Sequence, residues 1–279
     1  MLIDGSSLIF RSFYGVPSSV RAPDGRPVNA IRGFVETLAR LVGSRRPAHL
    51  AVASDEDWRP QHRVDLIASY KAHRVAEPIP PALIPQMQLI HTLLAAIGID
   101  FIGAPTLEAE DVIASWVAQL KGRVDIVSGD RDLFALISDP DVRVLYPEKG
   151  GLAEVDEAEV TRRYGVPGHL YADFAILRGD PSDGLPGLPG VGAKTAASLI
   201  IKYGGLEALL ASGKLSESDS DYVRRAQAVV VPGSADPIPL PEGTRSAWPS
   251  DPSGLNTLAG DLGIGASVER LLTALRGRS

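Results

Sequence analysis

Cysteine is absent from all 279 residues. That excludes a disulfide framework and any thiolate metal site, and it favours a reducing compartment. No stretch approaches the roughly 20 consecutive apolar residues that a membrane helix needs. The opening MLIDGSS carries no basic segment followed by a long apolar one, so neither a span nor a leader is expected and the chain reads as cytoplasmic. Lysine is scarce, occurring only at positions 71, 121, 149, 194, 202 and 214, so arginine supplies most of the positive charge. There are no long repeats and no low-complexity tail. What is present is an ordinary globular composition, 44% apolar and 22% charged, in a chain long enough for one large domain or two modest ones. The net charge of −6 does not decide the partner, because acids gathered around bound cations are neutralised locally.

Carboxylates recur at the ends of short apolar runs: Asp4, Asp55, the cluster Glu108-Ala-Glu110-Asp111, the pair Asp130 and Asp132, and the pair Asp180 and Asp183. Acids flanked by small and apolar residues repel one another where a fold gathers them. Their convergence would require multivalent cations, and the series points to a metal-dependent phosphodiester hydrolase. Simpler readings exist for each piece. Acids in a first helical turn favour the helix dipole, which by itself explains Glu108 to Asp111. A helix N-cap explains one aspartate of Ser128-Gly-Asp130-Arg-Asp132 but not both. Two aspartates leaving a buried strand beside a glycine suit a hard divalent cation held through oxygen.

Aliphatic runs at Leu2–Ile3, His49–Ala53, Ile99–Ile102, Val124–Val127 and Val142–Leu145 read as buried strands of a mostly parallel sheet. Helical patterns lie between them at Ile31–Val42, Leu83–Ile97, Glu108–Leu120 and Asp132–Ile137. This alternation predicts an α/β layer structure with helices flanking the sheet, and ligands in such folds bind beyond the carboxyl ends of the strands. From about Glu157 the strand signal fades. Helices are expected at Glu157–Tyr164, Leu170–Leu177, Ala193–Tyr203, Leu206–Ala211, Asp219–Val229 and Val268–Leu275, with an irregular connector over Val231–Pro252.

Gly179-Asp180-Pro-Ser-Asp183-Gly184 is rich in turn formers, and it runs into Gly187, Gly190, Gly192, Lys194 and Thr195. A P-loop requires lysine directly after its second glycine. Ala193 intervenes here and no strand precedes, so nucleotide hydrolysis at this loop is excluded. A hairpin between two helices, offering amides to a nucleic-acid backbone at a helix N-terminus, is expected instead. A basic and aromatic constellation follows Asp55: Trp58, Arg59, Arg63, Tyr70, Lys71, His73 and Arg74. As an isolated charge run it is a solvated face; beside a strand-end acid it puts cations on phosphates and a ring under a base. His49, His62, His91 and His169 lack metal-ligand spacing.

The pieces Ile3-Asp4-Gly5-Ser6-Ser7 with Arg11, Tyr70-Lys71-Ala-His73-Arg74, Glu108-Ala-Glu110-Asp111, Ser128-Gly-Asp130-Arg-Asp132, and Gly179 to Thr195 occur in this order. Together they resemble the 5′-3′ exonuclease and flap endonuclease family, which includes the N-terminal nuclease domain of bacterial DNA polymerase I. The resemblance covers most of the chain. It implies a PIN-like, FEN-like nuclease core over residues 1–165. It also implies a helical DNA-binding region over 166–279, with a helix-hairpin-helix-like motif at Gly187 to Lys194. One metal would be held by Asp4, Asp55 and the 108 to 111 acids, and a second by Asp130, Asp132, Asp180 and Asp183. The family's ion is Mg or Mn, and relatives also bind a monovalent cation such as K+ at the hairpin. Lys71 and Arg74 would sit near the attacked phosphate, Arg11 would steer the backbone, and Tyr70 would stack on a base.

The implied substrate is DNA with 5′ flaps, nicks or junctions of single strand and duplex, RNA primers included. The implied protein is a stand-alone monomer that binds no membrane. Two departures stand out: Glu110 where bacterial members commonly have Asp, and Ser54 where an aromatic is usual. The Pro-rich segment 75–82 is short for an arch over a threaded strand. A PIN-type ribonuclease shares the acidic core but has no need of the glycine hairpin, and a non-catalytic junction-binding protein has no need of every acid.

Overall fold

The computed structural model describes residues 1–234, 236–242 and 248–277. In chain order the first elements are β1 (Leu2–Asp4), α1 (Gly5–Gly15), α2 (Asn29–Arg45), β2 (Ala51–Ala53), α3 (Gln61–Leu66), α4 (His73–Ala76), α5 (Ile84–Ile97) and β3 (Asp100–Ile102). Next come α6 (Ala109–Gln119), β4 (Val124–Val127), a 3-10 turn at Asp132–Leu136, β5 (Val142–Glu148) and β6 (Gly151–Val155). The rest is helical: α7 (Glu157–Tyr164), a 3-10 turn at Gly168–Leu170, α8 (Tyr171–Arg178), α9 (Ala193–Tyr203), α10 (Leu206–Ala211), α11 (Glu217–Val230), α12 (Pro252–Asp261) and α13 (Gly265–Arg276). These elements form two compact units that interleave along the sequence. The first comprises Met1–Asp55, Ile79–Gly103 and Pro239–Ser279; the second comprises Glu56–Pro78 and Ala104–Ile238.

In the first unit β2 lies between β1 and β3, parallel to both, with Asp4 opposite Ala53 and Ala53 opposite Ile102. β1 and β2 are buried at every residue, as strands covered on both faces must be. Asp4 ends β1 and caps α1, its Oδ1 accepting from the Ser7 amide at 2.9 Å. A Cβ on Gly5 would stand 2.7 Å from the Ala53 carbonyl oxygen, so only glycine lets α1 start this close to β2. α13 packs along α2, and Phe34, Leu38 and Leu41 of α2 and Leu271 and Leu275 of α13 are buried.

In the second unit β4 and β5 are parallel, and β6 returns antiparallel with Val155 opposite Val144. Three of the four pairings within the units are thus parallel, and the expected mostly parallel sheet flanked by helices is present. α8 packs on α9 and α11, and α11 also packs on α3. Phe134, Tyr164, Tyr171 and Phe174 meet in one aromatic group with ring centroids 4.9 to 6.2 Å apart.

Besides the short helices α3 and α4, the structure adds α1, β6 and α12 to the elements expected. α1 follows β1 without a linker, so its Gly-Ser-Ser start looks like a turn until Asp4 is seen as its cap. β6 folds back through Gly150 and Gly151, both at positive φ. α12 begins at Pro252 inside the expected connector, capped by Asp251 on the Gly254 amide; proline suits a first helical turn. The segment from Asp132 is a 3-10 turn rather than an α-helix. Among the described residues no helix is long and apolar enough to cross a membrane. Residues 235 and 243–247, within the expected connector, lie outside the described residues.

Candidate metal and nucleic-acid site

Asp4 and Asp55 belong to the first unit, at the carboxyl ends of two adjacent parallel strands. The Asp55 amide donates to Ser6 Oγ at 3.2 Å, which ties the two strand ends together. The remaining acids and their cations belong to the second unit. Glu108 is the N-cap of α6, with Glu110 and Asp111 in its first turn. Successive helical residues point about 100° apart, so neighbouring acids on α6 serve different partners.

Glu110 meets Asp130 and Asp132, the three offering carboxylate oxygens within 4.8 Å of one another. The loop after β4 aims the two aspartates. The Asp130 amide donates to Ser128 Oγ, and the Asp132 amide donates to Asp130 Oδ1, each at 2.9 Å. Burial raises Glu110 and Asp132 well above the usual carboxylate range. At Glu110 burial outweighs the pull of Lys71 and Arg63, with a smaller contribution from Asp130 repulsion; at Asp132 repulsion from Asp130 and Asp183 reinforces burial. Asp183 is raised too, by burial and Asp130 against the pull of Lys71, and it shares a hydrogen bond with Asp132. Buried carboxylates that cannot all ionise beside one another form a hard oxygen donor set, and a divalent cation relieves their repulsion. The residues fit such an ion.

Arginine and lysine hold the other acids. Arg63, on α3, is 2% exposed; its Nη1 lies 2.5 Å from Glu108 Oε2 and 2.6 Å from Glu110 Oε1, and its Nη2 lies 2.7 Å from Asp111 Oδ1. Burial opposes its charge, but Glu110, Asp111 and Glu108 outweigh that and raise its pKa. Glu108 accepts from Arg63 and the Tyr70 hydroxyl on Oε2, and from Lys71 Nζ and Arg74 Nη1 on Oε1. Burial would lift its pKa, yet Lys71 and Arg63 hold it below the ordinary value. Lys71 Nζ also stands 3.9 Å from Asp183. The Arg74 guanidinium lies over Trp58, 4.0 Å from the ring centroid.

Asp180 organises its own turn, accepting from Arg131, Arg178, the Ser182 amide and the Ser182 hydroxyl. Further on, Gly190 sits exposed at φ +74°, and a Cβ there or at Gly192 would meet nothing within 4 Å. Gly192 caps α9, and Lys194 and Thr195 are exposed in its first turn.

Residues 1–165 match the family model for the 5′-3′ exonuclease N-terminal resolvase-like domain, and residues 166–228 match that for the 5′-3′ exonuclease C-terminal SAM fold. The chain belongs to the 5′-3′ exonuclease family. It is 48% identical to a 5′-3′ exonuclease of Streptomyces coelicolor over 99% of both chains. It is 42% identical to DNA polymerase I of Mycobacterium bovis over 75% of this chain and 24% of that protein. Its fold is similar to that of a bacteriophage T5 flap endonuclease solved as a pseudo-enzyme-product complex with DNA and metal ions. That likeness has a TM-score of 0.68 at 15% identity, over 100% of this chain and 98% of the other.

Against this family pattern several expected roles move. Tyr70 is 1% exposed with its hydroxyl on Glu108, which places it within the acid network rather than at a surface for base stacking. Gly187 is a packing glycine: a Cβ would lie 2.6 Å from the Arg178 carbonyl, and its amide donates to the Tyr222 hydroxyl at 3.0 Å. It offers nothing to phosphate. Glu108, Asp111 and Asp180 are engaged by protein donors, whereas Glu110, Asp130, Asp132 and Asp183 converge. Arg11 is exposed on α1. Arg63 belongs to the basic run of the sequence, and nothing in local spacing marks an arginine that reaches acids about 45 residues away.

Proposed function

We propose that this family member is a structure-selective 5′ nuclease, exonuclease and flap endonuclease in one. On this reading it cuts DNA near junctions of single strand and duplex and leaves 5′-phosphate and 3′-hydroxyl ends. Residues 1–165 serve as the nuclease core and 166–279 as the duplex-holding region. The observation that carries the reading is the convergence of Glu110, Asp130 and Asp132 with Asp183 beside a buried lysine. Two divalent cations, Mg or Mn, would orient a water and stabilise the leaving oxygen of an in-line displacement. Glu110, Asp130, Asp132 and Asp183 would hold them, and Asp4 and Asp55 are proposed as metal ligands on their sequence motif alone.

Lys71 and Arg74 counter the charge that builds on the scissile phosphate. Arg11 and the exposed amides of Gly190 and Gly192, with Lys194 and Thr195, contact the nucleic-acid backbone. A monovalent cation such as K+ at that turn would be bound by backbone oxygens. The enzyme acts as a cytoplasmic monomer on flaps and nicks, removing RNA primers among them. Asp130→Asn or Asp132→Asn is expected to cost several kcal/mol at the transition state, about 10³-fold in rate, with flap binding retained. Near-normal turnover in Mg would overturn the assignment.

A further inference from the structure

The three acids of α6 differ in how much of their oxygen is already taken. A carboxylate offers about four acceptor sites. Glu108 receives four donors, from Arg63, Tyr70, Lys71 and Arg74. Asp111 is 1% exposed and receives three: Arg63 Nη2 at 2.7 Å and the Gly233 amide at 3.0 Å on Oδ1, and the Glu108 amide at 3.1 Å on Oδ2. Glu110 gives Oε1 to Arg63 and is the member of the three that reaches Asp130 and Asp132. The same guanidinium therefore grips the acid that faces the cation cluster and the acid that does not.

Asp111 in turn is fixed from outside its helix. The segment after α11 lies along α6, with the Ile238 amide on Ser115 Oγ and Gln119 Nε2 on the Ile238 carbonyl, both at 2.8 Å. Its Gly233 amide closes on Asp111.

We propose that the Gly233 amide, Asp111 and Arg63 form a positioning relay that aims the Glu110 carboxylate into the cation cluster, with Asp111 and Arg63 acting as positioning residues rather than ligands. The inference rests on the metal-dependent reading above. Groups that orient a ligand without touching the ion are commonly worth 10–100-fold in metal affinity. A planar guanidinium bridges several carboxylates at once, whereas a lysine ammonium is a point charge and cannot hold the same set. Proline at 233 would remove the N–H that the connector donates to Asp111. Alanine there keeps the N–H, and its Cβ meets nothing within 4 Å.

The test measures Mn2+ binding to the DNA-free full chain by titration calorimetry. In parallel it measures kcat and KM on a 5′-flap duplex across Mn2+ concentrations, with circular dichroism as the check on folding. Arg63→Lys and Gly233→Pro are expected to weaken Mn2+ binding by roughly tenfold or more. KM for the flap should stay unchanged, and the rate deficit should shrink as Mn2+ rises. Gly233→Ala should recover the affinity that Gly233→Pro loses. Should Arg63→Lys fail to fold, the Gly233 pair still decides. Unchanged Mn2+ affinity in folded Gly233→Pro, or equal losses in Gly233→Pro and Gly233→Ala, would overturn the relay. An unaltered chain that neither binds Mn2+ nor cleaves the flap would instead refute the functional reading itself.

Discussion

Lys71 holds a left-handed backbone at φ +45°, a region non-glycine residues seldom occupy and that costs of order 1–3 kcal/mol unless the surroundings impose it. The imposing contact is visible. Its amide donates to the Asp183 carbonyl at 2.9 Å, so the turn carrying Asp183 and the segment carrying Lys71 are latched main chain to main chain. Gly184 makes the latch possible, because a Cβ there would fall 1.9 Å from the Ser69 carbonyl oxygen. Gly184→Ala is therefore expected to lower stability by roughly 1–3 kcal/mol or more, since its φ of +72° adds strain to the clash. It should also slow single-turnover cleavage by displacing Asp183 from Asp132. Urea unfolding and rapid-quench kinetics check both; a stable variant with a normal rate would show that the latch does not position the acid. At this scale the acids and Lys71 were legible because their motifs are local. The latch was not, because close approach of Gly184 to Ser69 is a fact of tertiary packing.

Helices and strands with clear apolar periodicity were recovered from sequence nearly to the residue, as at Glu157–Tyr164 and Ala193–Tyr203. α1, β6 and α12 were not, since each starts with residues that also build turns: Gly5-Ser6-Ser7, Gly150-Gly151 and Pro252-Ser253-Gly254. Polar contacts between elements are equally hidden. Glu36 on α2 accepts from Ser267 Oγ at 2.7 Å and Arg270 Nε at 3.1 Å on α13, with Arg270 Nη2 also bonded to it. The Arg270 hydrogen bond lowers the Glu36 pKa, partly opposed by burial. A carboxylate whose folded pKa lies below its unfolded value, about 4.3, contributes stability that is present above that value and is lost as pH falls through the folded pKa. Glu36→Gln should thus destabilise the protein by up to about 1 kcal/mol at pH 7, with the gap closing toward pH 3. Thermal unfolding of both proteins at the two pH values tests this, and an equal gap at each would assign the effect to packing instead.

For the molecule as a whole, a net charge of −6 has to coexist with binding of a polyanion. The acids explain part of it: Glu110, Asp130, Asp132 and Asp183 crowd one site, where cations would neutralise them. On the proposed reading, duplex binding rests on the glycine hairpin and the residues beside it. The glycine hairpin was legible as a motif, yet only its outer half faces solvent, since Gly187 is spent on Arg178 and Tyr222. Gly190 and Gly192 stand open at the start of α9 with Lys194 beside them, and orphan amides at a helix N-terminus suit phosphate. Contacts of this kind set position without reading bases. Bulky residues at 190 and 192 should therefore weaken binding of flap and nicked duplex while leaving a short single strand, which has no duplex arm, much less affected. Lys194→Ala should reduce the slope of log affinity against log salt by about one, as one fewer phosphate contact releases counterions. Fluorescence anisotropy across a salt series with the three substrates measures both effects. Equal losses on single-stranded and duplex-containing DNA would show that the hairpin is not what holds the duplex.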